Sequence, residues 1–90
     1  MANSTAGTFW KLDTEAVIST GIIHVVNMIW DSPTTEGDDI LVSDNGGNTI
    51  WEMKAIASGT GITYERSING ICNGFNLATL DSGTLYVQVS

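Results

Sequence analysis

The stretch Leu41-Val42-Ser43-Asp44-Asn45-Gly46-Gly47-Asn48-Thr49-Ile50-Trp51-Glu52-Met53 decides the fold class of this 90-residue chain. Its centre, Asn45-Gly46-Gly47, consists of residues that tolerate positive φ. On either side lie short runs rich in branched and aromatic side chains. That combination predicts a β-hairpin, with strands at residues 39–44 and 48–57.

Working outward, turn signals cut the rest of the chain into short segments whose apolar residues recur at every second position, the period of a half-buried strand. No segment keeps a helical period. Residues 21–31 place Ile22, His24, Val26, Met28 and Trp30 on one face and Ile23, Val25, Asn27 and Ile29 on the other. Both faces are largely apolar, which predicts a central strand. It ends at Asp31-Ser32-Pro33, where proline stops ladder pairing, and the acid-rich loop 34–38 follows. Phe9, Trp10 and Leu12 open the first strand, behind a small, polar, flexible N-terminal arm over residues 1–7. After the hairpin, Ile62, Tyr64, Arg66 and Ile68 alternate again. Asn69-Gly70 and Asn73-Gly74 then break the chain twice, one as a hairpin turn and the other as a bulge, with the order left open. Phe75, Leu77 and Thr79 begin a further strand, and Asp81-Ser82-Gly83 turns it into Leu85, Val87 and Val89. The expected fold is therefore all-β: a single antiparallel β-sandwich of about seven to eight short strands, immunoglobulin-like or jelly-roll, over residues 8–90.

Composition narrows what such a domain does. A chain this short buries only about 60 to 65 per cent of its unfolded surface, enough for one modest core. Hydrophobic residues make up 42% and charged residues 14%, which argues for a packed domain over a disordered tail. Ten acids against three cations, Lys11, Lys54 and Arg66, leave a net charge of −7. That field repels polyanions and anionic membrane surfaces, so neither nucleic acid nor membrane is expected as a partner. The N-terminal residues lack the basic and apolar regions of a signal peptide, and the chain is expected to be made in a cytoplasm. No apolar stretch is long enough to span a bilayer. Cys72, the single cysteine, excludes an intrachain disulfide and reads as a buried thiol.

The residues that carry chemistry point the same way. Any triad would have to use His24, which sits mid-strand and reads as a packed, hydrogen-bonded histidine. Glu36, Asp38, Asp39, Asp44 and Asn45 offer hard oxygens for calcium. Their spacing is not that of a calcium-binding loop, and they read as a solvated acidic loop. Carboxylate pairs drawn from Asp13, Glu15, Asp31 and Asp81 have no distinctive spacing, and Gly59-Thr60-Gly61 lacks the lysine and strand-to-helix context of a phosphate loop. No catalytic residue, cofactor, metal site or small-molecule substrate is expected. Among the aromatics, Trp30 and Trp51 read as core. Trp10, beside the arm, reads with Phe9 and Thr8 as a partner contact, since tryptophan is enriched among binding hot spots.

Three stretches taken together, Gly7-Thr8-Phe9-Trp10-Lys11-Leu12-Asp13, Ile22-Ile23-His24-Val25-Val26-Asn27-Met28-Ile29-Trp30-Asp31 and Asn73-Gly74-Phe75-Asn76-Leu77-Ala78-Thr79-Leu80-Asp81-Ser82-Gly83-Thr84-Leu85-Tyr86-Val87-Gln88-Val89, give a pattern over residues 8–90 that resembles the short β-sandwich capsid cement or decoration proteins of tailed bacteriophages. The resemblance is one of pattern and rests on no invariant motif. It implies a non-enzymatic structural protein of the virion that sits on the capsid surface, often as a homotrimer. Such a protein clamps the major capsid protein by repeated protein contacts that add through avidity. Two other classes stay open. A phage fibre-tip or receptor-binding module would use loops 34–38 and 58–61, and an enzyme would need a pocket beside His24.

Overall fold

A computed structural model describes residues 3–5, 7–57 and 61–90. Six strands run through them: β1 (Phe9–Leu12), β2 (Ala16–Asp31), β3 (Asp39–Ser43), β4 (Thr49–Lys54), β5 (Thr63–Leu80) and β6 (Thr84–Val89), with no helix among the described residues. All pair antiparallel in one hydrogen-bonded sheet of order β1-β6-β2-β5-β3-β4.

The all-β, antiparallel expectation holds, but the strands number six, and two are long. β5 runs for 18 residues through both Asn-Gly pairs. Neither pair is a hairpin turn. Asn69 takes φ 49° and Gly74 φ 97°, and pairing with β2 resumes beyond each of them. Each pair is therefore an irregularity inside one strand. β2 is likewise longer than expected, starting at Ala16 and crossing Ser19-Thr20-Gly21, where the register slips. The 39–54 hairpin is present, with β4 ending at Lys54. Asp44 closes its turn by accepting from Gly46 N and Asn48 N, both at 2.9 Å.

The sheet is folded on itself along its two long strands. The outer half of the ladder, Val25 to Asp31 of β2, pairs with β6, while the other half of β5, Asn76 to Leu80, pairs with β3. Trp10 on β1 aligns through Val87 with Met28, whereas Phe75 aligns with Ser19, nine positions back along β2. In a flat sheet that offset alone would separate the two rings by on the order of 30 Å. Their centroids are 6.0 Å apart, edge to face. Folding thus brings Trp10, Leu12, Met28 and Leu85 from one end against Ile40, Val42, Phe75 and Leu77 from the other, all within one buried core.

The β5–β6 turn helps to hold that arrangement. Trp30, fully buried, donates from Nε1 to Ser82 O at 2.8 Å, tying the end of β2 to the β5–β6 turn. In that turn Gly83 (φ 76°) lies so close to its neighbours that an added Cβ would stand 2.6 Å from Asp31 O. Of the arm expected to be flexible, residues 3–5 lie against β1: Ser4 and Lys11 exchange two backbone hydrogen bonds of 2.8 Å. Asn3 Oδ1 also accepts from Asp13 N and Thr14 N.

Candidate contact surface

The outward face of the β2–β5 pair carries apolar side chains where water would ordinarily meet polar ones. Ile22 is 74% exposed and Ile71 76%. The register sets Ile22 opposite Asn73 and His24 opposite Ile71, so the two isoleucines are diagonal neighbours on one face. Their chain neighbours, Ile23 and Cys72, pack toward the core, as alternation in a strand requires. Beside them His24 Nδ1 and Ser90 Oγ are 2.5 Å apart and Ser90 N donates to His24 O, which pins the end of the chain to this face.

The same region holds no formal charge. Residues 16–30 and 67–80 contain no Asp, Glu, Lys or Arg, and nor do residues 82–90. All thirteen charged side chains of a −7 chain lie outside those three segments. Pairing of β2 with β5 and β6 sets the three side by side, and their outward side chains form a neutral, partly apolar patch bordered by Glu65, which accepts from Asn27 Nδ2 at 2.7 Å. Contiguous exposed apolar surface rimmed by polar residues is a mark of contact sites.

The three residues that the sequence offers as partner contacts divide. Phe9 points outward and is 69% exposed, paired with Gln88. Thr8 is exposed, and its carbonyl accepts from Val89 N at 2.8 Å. Trp10 is only 9% exposed and stacks edge-on against Phe75, so its ring belongs to the core of the monomer. Local sequence does not distinguish Ile22 and Ile71 from the other apolar strand residues. The signal that finds them is the long run without charge, which takes meaning only once β2 and β5 are seen to be partners.

The acids are held in local roles. Asp39 pairs with Lys54 at 2.8 Å, and that contact raises the Lys54 pKa above its ordinary value. Asp81 accepts from Asp39 N, Asp38 from Ser82 Oγ, and Glu15 from Leu80 N. Hydrogen bonds from Asn48, backbone first, and then from Gly46 hold the Asp44 carboxyl below its ordinary 3.8. Asp38 and Asp44 stand at opposite ends of β3 and do not converge. Among the described residues no three His, Cys, Asp or Glu side chains are grouped to hold a metal ion, and no pocket is enclosed. Burial raises the Cys72 thiol pKa. Of Gly59-Thr60-Gly61, the first two lie outside the described residues, and Gly61 takes φ 88°.

No family model matches the chain, no curated protein is similar to it, and no solved structure matches it.

Proposed function

We propose that the chain is a non-enzymatic structural protein of a virion, a capsid decoration protein that binds the major capsid protein and its own copies through the neutral face of β2, β5 and β6. The observation that carries this reading is the pair Ile22 and Ile71, exposed on a strand face whose surrounding segments, residues 16–30 and 67–80, carry no formal charge. The virion setting, the capsid-surface location and the homotrimer come from the pattern resemblance, and the face is compatible with them.

Physical chemistry explains why such a face suits repeated assembly. Copies that each carry −7 repel one another, and a contact made through charged segments would set carboxylates against carboxylates at close range. A neutral apolar face avoids that penalty. Its side chains also sit on paired strands, so little ordering is required on binding. Individual contacts can then be small, because many copies on one lattice add by avidity. In this reading the folded sheet is a small sandwich whose two layers share β2 and β5.

The test is the stoichiometry of purified particles of the phage that encodes the chain. A copy number that scales with the major capsid protein is expected. A few copies per particle would move the chain to a tail or fibre tip, and its absence from particles would refute a virion role.

A further inference from the structure

The sequence contains three Asn-Gly pairs, at Asn45-Gly46, Asn69-Gly70 and Asn73-Gly74. This dipeptide is chemically labile, because glycine has no Cβ to block attack of its own backbone nitrogen on the preceding side-chain carboxamide. The fold treats the three pairs differently. Asn45 is clamped: its N donates to Asn73 O at 2.9 Å and its Nδ2 to Thr20 O at 2.7 Å. The nitrogen that would attack it, Gly46 N, is engaged with Asp44 Oδ1. Asn73 is held through its carbonyl by that same Asn45 N, and the Asn45 side chain packs directly on buried Gly74.

The Asn69 side chain has no counterpart to the contacts that hold the Asn45 side chain. Asn69 is exposed, and its side chain has no hydrogen-bond partner among the described residues. It adopts φ 49°, outside the strand conformation. It lies in the gap where the register passes from Val25↔Gly70 to Asn27↔Ser67, and β3 reaches β5 only from Asn76 onward. Asn69 itself has no register partner on β2, and the pairing of Gly70 with Val25 stands at the edge of that gap, where local opening is easiest.

We propose that Asn69 is a site of spontaneous, fold-selected deamidation. Gly70 N, deprotonated by hydroxide, bonds to Asn69 Cγ. The Cγ–Nδ2 bond breaks and ammonia leaves, forming a cyclic succinimide. Water then opens either ring carbonyl to give aspartate or isoaspartate. One water is consumed and one ammonia released, with no change of oxidation state. The product adds one negative charge to a chain already at −7. In the isoaspartate form it also lengthens the main chain at the bulge of β5, two residues before Ile71 on the same strand.

The test is incubation of the full-length chain at mildly alkaline pH in ¹⁸O-water, with fragment-ion mass spectra assigning each site, run natively and in denaturant. The native chain is expected to convert Asn69 at least about tenfold faster than Asn45 or Asn73, the factor that loss of one or two restraining hydrogen bonds would supply. In denaturant the three rates should come within a few-fold of one another. Native conversion led or matched by Asn45 or Asn73 would overturn the proposal. So would a native Asn69 that stays intact while the denatured chain reacts.

Discussion

Trp30 shows how much of this fold rests on single side chains. It is fully buried, donates to Ser82 O, and lies tilted against Tyr64 with centroids 5.5 Å apart. Trp30→Phe keeps an aromatic ring but leaves the Ser82 carbonyl without its donor and a void beside Tyr64. A loss of about 2 kcal/mol or more is expected in denaturant unfolding. Asp44 gives a pH signature at the same scale. Its folded pKa lies below 3.8, so its contribution is fully present above that value and is lost as pH falls through the folded pKa. Its carboxyl carbon should titrate below 3.8 by NMR, and Asp44→Ala should flatten the acid limb of the stability curve. A midpoint at or above 3.8 would contradict the turn geometry. The core role of Trp30 and the turn around Asp44 were both legible in the sequence. The burial of Trp10 was not, because alternation at a strand's first residues assigns Trp10 and Phe9 to opposite faces without saying which face meets the core.

At the scale of elements, the hairpin and the alternating strands could be read from local pattern, whereas the length of β2 and β5 could not. Asn-Gly has the same turn chemistry in a hairpin as in a bulge. Only the ladder with β2, tens of residues distant, decides that β5 continues through Asn69 and Gly74. The Ser19-Thr20-Gly21 break misleads in the same way, since a slip of register absorbs it. The N-terminal residues were equally opaque, because their pairing to β1 depends on the Asn3 side chain capping Asp13 and Thr14. Asn3→Ala is expected to cost about 1 kcal/mol. It should also speed hydrogen exchange at Lys11 N, which donates to Ser4 O. Unchanged protection there would mean that the cap does not hold the arm.

For the whole molecule, charge placement matters more than charge total. The −7 follows from composition alone, but its consequence for contact depends on the ladder, which sets three uncharged segments side by side. If copies meet through that face, self-association should strengthen as salt screens the surrounding carboxylates, and sedimentation at low and high ionic strength would show it. A contact built on ion pairs would weaken instead. The most direct trial is saturation binding of the purified chain to capsids prepared without it, comparing wild type with Ile22→Ser/Ile71→Ser. Both positions are exposed, so the variant should keep the wild-type circular dichroism and melting behaviour. The account predicts that wild type saturates at a fixed ratio to the major capsid protein and that the folded variant binds on the order of tenfold more weakly or worse. Equal binding by the variant, or no binding by wild type, would contradict it.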